Sequence, residues 1–447
     1  MDAKPCSQEA FCGKPNIYHE VDWTQENSLH NWFESLSLEC VPKARIGFIG
    51  SSLFIGWASG ATFLPRLSDN FGRRRVFIGS MALQVLTFIG LFLSTNIDVN
   101  TFFMFVFGVA SVGRTSLSFL YMMELLPANR QVLCGTILQL CNASVSIVGS
   151  VYFWKVSKEW IYLVLIGCLL AILSMLGAIV MPESPKYLVT KGRYDEARKA
   201  ISYIAKINQQ EPFIGVFDKE AIQKAAAVNY SVFDTNLETG QESEQVRLIK
   251  EEDQLTGTIK DLIKIRRHFI NLLIFVYIWT ASSFDMYLVT YSMKYIPGNI
   301  FKNLLTSALL DLPFALLGGL AFHTLGVKTA LTTAFIVAIC GSVLIALLSE
   351  DNPEFVHYMF SLARGGVKVT FDICYLANST IFPAIFAGAA FGLCNMGAKI
   401  ATILSPMLAE VQAPIPMIIF TCVAALAAVL SMLLIMKESN HKRSLSK

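Results

Sequence analysis

Charge is scarce in this chain. Of its 447 residues only 15% are Asp, Glu, Lys or Arg, while 54% are hydrophobic. A soluble chain of this length carries about a quarter charged residues, so the deficit excludes an ordinary soluble globular protein. No Cys/His cluster has metal-ligand spacing, no nucleophile–base constellation occurs, and no nucleotide-binding signature is present. An enzyme is therefore not expected, and neither a cofactor, a metal nor a nucleic-acid partner is called for. The first 40-odd residues are polar and lack an apolar h-region, so no secretory signal is visible. Cysteine is not scarce, but seven of the ten lie inside apolar runs, where Cys is most often a small core residue. The other three, Cys6, Cys12 and Cys40, share the polar N-terminal segment. An odd number allows at most one local disulfide among them.

What is present is apolar sequence in blocks of about 20 residues, the length that crosses a bilayer core. The blocks predict an all-α polytopic membrane protein whose first partner is the lipid bilayer. Eleven spans are read, at 46–65, 76–94, 101–124, 132–153, 160–181, 268–290, 300–320, 326–348, 355–378, 383–408 and 414–436. Short polar turns separate most of them. The exception is a long charged connection, 182–267, after the fifth span. Within it, Tyr194, Ala197, Ile201, Ile204 and Ala205 recur at helical spacing and predict a surface amphipathic helix over 191–207, with 208–258 loosely ordered.

Lys and Arg concentrate on one side of the expected membrane: Arg66 and Arg73 to Arg75, then Lys186, Lys191, Arg193, Arg266 and Arg267, then Lys437, Lys442, Arg443 and Lys447. The positive-inside rule makes that side cytoplasmic. The N-terminus then lies outside and the C-terminus inside, which an odd span number satisfies. The expected organisation is an outside segment (1–43), a first membrane half of five helices (44–181), the cytoplasmic connection (182–267), a second half of six (268–436) and a cytoplasmic tail (437–447). The acceptor-like triplets at Asn229 and Asn378 fall on the cytoplasmic side and are expected to be unused, and the outside segment has none.

Four stretches carry a resemblance. "GATFLPRLSDNFGRRRV" (60–76) resembles the loop-2/3 signature of the major facilitator superfamily, with Asp69, Gly72, Arg73 and Arg74 in the matching places. "MPESPKYLVTKGRYDEARKAI" (181–201) resembles the stretch after the sixth helix of sugar porters and of the organic anion/cation transporters. "MKYIPGNIFKNLLTSALLDLPFALLG" (293–318) and "GLCNMGAKIATILSPM" (392–407) are similar to the seventh-to-eighth and eleventh helix regions of the organic ion transporters. The resemblance runs from residue 44 to the end and implies the major facilitator fold. It also implies that the family's first helix is absent, because the charged turn follows span one instead of span two. The register kept after that point favours an incomplete sequence over a shortened protein.

The resemblance implies roles for particular residues. Asp69, at a helix C-terminus where a lone carboxylate is disfavoured, is expected to pair with Arg73 and to face the helix starting near Pro383, latching the halves on the inside. The alternative for Arg73 to Arg75 is simple topology anchoring, which is accepted for Arg75. Gly72 and Arg74 complete the turn. Glu124 with Arg130 resembles a second gating pair, one residue shorter than usual. In the second half His323 stands where the latch Asp would be, Thr380 and Ala387 replace the Glu and Arg of another family element, and the inside latch there looks degraded.

Charged residues at mid-span are costly and usually functional. Arg114 lies deep in the third span, and Met104 occupies the place of the Arg common early in the family's fourth helix. Arg364, Lys368 and Asp372 fall at i, i+4 and i+8, so neighbours on one face can pair, either as a structural network or around a solute. Lys399 matters most for substrate. Organic ion transporters tend to carry Arg at this place in anion and carnitine carriers and Asp in cation carriers, so Lys399 implies an organic anion or zwitterion. A lysine snorkelling to headgroups is the alternative. Tyr287 and Tyr375 are further candidates to line the cavity.

The expected function is a secondary active or facilitative transporter of small organic ions by alternating access, placed in the plasma membrane, with proton or sodium coupling left open. A sugar porter is second, although the Gln-Gln pair usual in its seventh helix is lacking. A non-transporting structural or receptor descendant is third, supported by the missing helix and the eroded latch.

Overall fold

A computed structural model describes residues 11–12, 14, 19–217, 220, 259–296, 299–348, 355–382 and 384–436. Cys6, the triplet at Asn229, most of 208–258, the acidic turn at 349–354, Pro383 and the tail from Lys437 lie outside the described residues.

The apolar blocks fold as helices, here α1 (Lys43–Phe71), α2 (Arg73–Leu93), α3 (Ile97–Leu125), α4 (Ala128–Val151) and α5 (Ile161–Val180). The connection supplies α6 (Pro185–Thr190) and α7 (Tyr194–Ile207). Then come α8 (Arg266–Ser292), α9 (Ile300–Leu348), α10 (Val356–Ile381), α11 (Ala384–Thr402) and α12 (Ile415–Leu433). Eight stretches among the described residues are long and apolar enough to cross a membrane. The difference from the eleven hydropathy blocks has visible causes. α9 is one stretch of 49 residues broken at Gly326, whose φ of 77° no helix accommodates. α10, with Arg364, Lys368 and Asp372 along it, is long enough but too polar, and α4 also falls outside the eight.

Local chemistry sets several boundaries. Asn96 caps α3, its side-chain oxygen accepting from the amides of Asp98 and Val99 at 2.8 and 3.3 Å. Five residues of α3, Gly113–Leu117, widen into a π-turn, a distortion that re-aims side chains and is frequent at functional sites. Ser184 caps α6 by accepting from the Tyr187 amide at 3.1 Å. α7 forms as its spacing predicts and buries Ala197 and Ala200 against Tyr187 and Leu188. Its solvent face is laced by charge, Arg198 reaching Asp195 and Glu220 at 2.7 Å each.

The helices pack in two groups. In the first, α1 lies on α3, and α2 on α3 and α5; in the second, α8 packs on α10, α11 and α12, and α9 on α10 and α12. Most of the buried apolar side chains form one cluster in the second group, centred on Phe275, Ile278, Trp279, Phe335 and Phe420. The groups meet where α1 crosses α11 and where α4 runs beside α9. Cys12 and Cys40 are disulfide-bonded, tying the N-terminal segment to the entry of α1.

Candidate functional site

One face of α1 carries Gly47, Gly50, Ser51, Phe54 and Trp57 at spacings of three and four. That stripe meets the second group. Gly50 brings its backbone against Pro406, Ser51 Oγ donates to the Ile403 carbonyl at 2.7 Å, and Phe54 stands edge-on to Tyr287 with ring centroids 4.8 Å apart. Trp57 is the midpoint of α1, and over its ring, 4.2 Å from the centroid, sits the ammonium of Lys399. The same ammonium is 5.1 Å from the Tyr287 ring. Lys399 is only 3% exposed, so its side chain does not reach for the headgroups. Among the described residues no carboxylate pairs with it; the two aromatic faces hold the charge instead, an arrangement that gains when desolvated.

Arg114, re-aimed by the π-turn, is exposed although it lies in the middle of α3. It is close enough to Tyr287, on the other helix group, for an electrostatic interaction, and its guanidinium lies 5.8 Å from the Phe107 ring. That places it towards the space between the groups and not towards lipid. Met104, by contrast, lines an apolar cavity of about 440 Å³ with Trp32, Phe88 and Trp160 on the N-terminal segment's side.

The charged stripe of α10 is paired, in a pattern only partly legible from spacing. Lys368 Nζ donates to both oxygens of Asp372 at 2.5 and 2.7 Å. Arg364 does not turn to Asp372. It makes a two-pronged contact with Asp311 of α9, at 2.9 and 3.3 Å, and donates to Thr290 Oγ1 at 2.7 Å. Asp311 was missed by sequence reading; an isolated Asp in the apolar run "SALLDLPF" is the signal that could have found it. Tyr375 packs tilted against Trp279 and edge-on to Phe371 and Phe391, and has both Tyr287 and Asp372 within electrostatic reach. Asp311 and Asp372 are thus already held by cations, whereas Lys399 and Arg114 have no acid partner among the described residues. The space between the groups is left with two unmatched positive charges.

The charged turn 67–76 has different company from that expected. Asp69 pairs with Arg73 as the spacing implies. Pro383, the other expected partner, lies outside the described residues. Arg73 also reaches Glu124 at 3.4 Å and lies 5.4 Å from the centroid of Tyr187. Glu124 therefore belongs with Arg73 and, among the described residues, does not pair with Arg130, which is exposed at the start of α4. The neighbouring Gln131 does the tying, donating to the carbonyls of Met123 and Leu126 at 2.8 and 3.2 Å.

Arg74 closes the C-terminal end of α5, donating to the carbonyls of Ala178 and Ile179. Its own amide donates to Glu183 Oε1 at 3.0 Å, and so does the amide of Ser184. Gly72 has φ +103°, and a Cβ there would overlap the Glu183 carboxylate. The Tyr187 hydroxyl donates to the Asn70 carbonyl at 3.0 Å. So the two motifs that looked separate in sequence, the Gly-Arg-Arg turn and Pro-Glu-Ser-Pro, form one interlocked structure inside the first group, around a small cavity of about 260 Å³. In the second group the corresponding turn at Gly326 is simpler, with Lys328 donating to the Met432 carbonyl at 3.3 Å and His323 exposed.

All hydrogen bonds and ring contacts recorded between the two groups, among the described residues, lie from mid-depth towards the N-terminal segment. Beyond the α1 stripe they include Phe153 stacked on Phe301 at 6.1 Å and Lys302 over Trp154 at 5.5 Å. The segment itself spans the seam. The Glu26 backbone carbonyl accepts from Lys158 and its carboxylate from Asn299, while Asn27 Oδ1 accepts from the Ile300 amide at 3.1 Å.

Comparison with known proteins accounts for this architecture. The family model of the Major Facilitator Superfamily matches residues 27–406. "Solute carrier family 22 member 3" of Rattus norvegicus is 25% identical over 419 residues, 92% of this chain and 70% of the relative. The "Organic cation/carnitine transporter 2" of Homo sapiens is 21% identical over the same shares of the two chains. Among solved structures, a partially occluded inward-open conformation of the xylose transporter XylE from E. coli superposes with a TM-score of 0.64 at 16% identity, covering 89% of this chain and 88% of that one. With an all-helical architecture, paired helix groups and a match over most of its length, the chain belongs to the Major Facilitator Superfamily.

Proposed function

We propose that this protein carries small organic anions and zwitterions, carnitine-like solutes among them, across the membrane by alternating access between the halves 44–181 and 268–436. The carrying observation is Lys399, a buried ammonium at mid-depth with aromatic rings for company and no acid partner among the described residues. At 4 Å and an effective dielectric constant of about 20, a carboxylate gains about 4 kcal/mol from such a charge. Arg114 adds to the same field from the first group. When the carboxylate draws the ammonium off, the freed faces of Trp57 and Tyr287 suit a quaternary ammonium. A zwitterion therefore has a place for each end. Asp69, Gly72, Arg73, Arg74, Glu124 and Arg130 are assigned to the turn region that moves with the first half; Arg364, Asp372, Tyr287 and Tyr375 shape the solute's side of the second. The contacts from mid-depth to the N-terminal segment correspond to a state closed there, and opening that side requires parting Ser51 from Ile403 and the segment from Asn299 and Ile300. The plasma membrane, with the segment outside and the tail in the cytoplasm, is the placement that fits the distribution of Lys and Arg.

The test is uptake into proteoliposomes of labelled carnitine, benzenesulfonate and tetraethylammonium, one zwitterion, one anion and one cation. The parent is expected to take up the first two and to discriminate against the third. Lys399→Ala should lower apparent affinity for both by at least about tenfold, within the ~4 kcal/mol ceiling, and Lys399→Arg should retain it. Equal uptake by the parent and Lys399→Ala sinks the assignment.

A further inference from the structure

A second buried ionisable group has no part in the solute site just described. Asp285 lies on α8 and is 0% exposed, and among the described residues neither of its carboxylate oxygens has a hydrogen-bond partner. Its helical neighbours three and four residues away, Ala281, Leu288 and Val289, are fully buried and apolar. Ser282 is near but committed: its hydroxyl donates to the Ile278 carbonyl at 2.9 Å and contacts Cys374 Sγ at 3.8 Å.

Among the described residues, no cation on the elements packed on α8 pairs with Asp285. On α10 the two cations are already held, Arg364 by Asp311 and Lys368 by Asp372, and the remaining titratable neighbours there are Cys374 and Tyr375. α11 presents Cys394 and Lys399, the latter lying over Trp57 and Tyr287, and α12 presents Cys422. Past the end of α11, Glu410 is bound to Lys294 and Tyr295. Tyr277, on α8 itself, feels both Asp285 and Cys422, but its hydroxyl points to the Val423 carbonyl. A bare carboxylate in such a place is uncompensated, and proteins avoid that by pairing the charge or neutralising the group. With no cation at hand the neutral acid is the form that fits. A sodium ion needs several oxygen ligands, which these apolar neighbours do not provide.

We propose that Asp285 is the coupling-ion site, a carboxyl that carries a proton in the state seen here and gives it up during the cycle, so that solute and proton travel together. This rests on the transport reading above. The step is a single protonation: the carboxylate takes H⁺ from water on one side of the membrane and returns it on the other, with no other bond made or broken. One helix joins Asp285 to the solute site. α8 bears Asp285 on its packed face and Tyr287 on the solute face. The same stretch is fastened to α11 by Ser283 on Thr402 at 3.1 Å and to the Ser405–Leu408 turn by Ser405 donating to the Phe284 carbonyl at 3.1 Å. A charge appearing at Asp285 draws water or a donor into the α8 packing and displaces the helix that holds Lys399 in place.

Two measurements on the full chain in proteoliposomes test it. Infrared spectra at neutral pH should show a neutral-carboxyl C=O band that Asp285→Asn removes. Labelled carnitine, with the membrane potential clamped at zero, should accumulate by up to about tenfold per pH unit of imposed gradient in the parent. Asp285→Asn should lose that accumulation, and Asp285→Glu, which keeps a carboxyl, should retain it. No band attributable to Asp285, accumulation by Asp285→Asn equal to the parent, or accumulation driven by sodium instead of protons overturns the proposal. If the parent moves no solute of any class, the transport reading falls, and the infrared band decides the proton site by itself.

Discussion

Gly72→Ala probes the interlock of the charged turn most directly. Gly72 has φ +103° and ψ 154°, a region open essentially to glycine alone. Any other residue there costs about 1–3 kcal/mol from the backbone. A second cost comes from Glu183. The new methyl would overlap its carboxylate, which accepts from the amides of Arg74 and Ser184 at 3.0 Å each. Displacing it loses at least one hydrogen bond to a charged group, worth about 1.5–3 kcal/mol. The sum is about 2.5–6 kcal/mol. With an unfolding entropy of ~2 cal/mol/K per residue, a chain of this length should melt roughly 3–7 °C lower, read by thermal unfolding in detergent. The decisive arm is the same substitution in a Glu183→Ala background. There no remaining atom lies closer than 3.5 Å to the methyl, and only the backbone part of the penalty remains, so the cycle should show a coupling of about 2 kcal/mol. An unchanged melting temperature, or an equal penalty in both backgrounds, refutes the reasoning.

Other outcomes follow from the same contacts. Arg364→Met strands Asp311 in the packed second group and should cost about 3–5 kcal/mol of stability; adding Asp311→Leu should recover most of it, and a failure to recover in the melting of the double variant would show that the pair is not what is being broken. Lys158→Ala with Asn299→Ala removes two exposed ties of the N-terminal segment and also the Asn299 cap of α9, whose Oδ1 accepts from the amides of Phe301 and Lys302 at 2.9 and 3.2 Å, so stability should fall by about 0.5–2 kcal/mol, the cost of a lost cap. The same pair should speed thiol labelling of Ser51→Cys, placed in a background without exposed cysteines, because the seam opens more often; an unchanged labelling rate counts against the segment's role in holding it.

How much of this was written locally can be judged from individual residues. The helices, the long connection and the amphipathic α7 follow from hydropathy and spacing, because a segment leaving water must satisfy its backbone internally and present its apolar face. The Lys368–Asp372 pair and the Asp69–Arg73 pair are i, i+4 contacts and were legible for the same reason. Contacts between distant parts of the chain were not. Arg364 chose Asp311, 53 residues away, over the Asp372 on its own helix, because only the crossing of α9 and α10 brings a second carboxylate to its guanidinium. Glu124 chose Arg73, 51 residues away, over the nearby Arg130, because the packing of α2 beside the end of α3 brings that guanidinium to it. The Gly-Arg-Arg and Pro-Glu-Ser-Pro motifs could each be recognised, but that Gly72 is glycine partly because of Glu183 is a fact of their packing.

The same division holds at the solute site. By itself the sequence determined that Lys399 is a lysine in an apolar helix, and residue type and hydropathy suffice for that. Whether its charge met an acid, lipid headgroups or an aromatic cage depended on which side chains α1 and α8 brought to it. Trp57 and Tyr287 lie 342 and 112 residues from it in the sequence, and only the crossing of α1, α8 and α11 places them over its ammonium. For Asp285 the decision was again tertiary. Burial and the lack of a partner are properties of what surrounds a group, and every cation that could have matched it was drawn elsewhere by the packing.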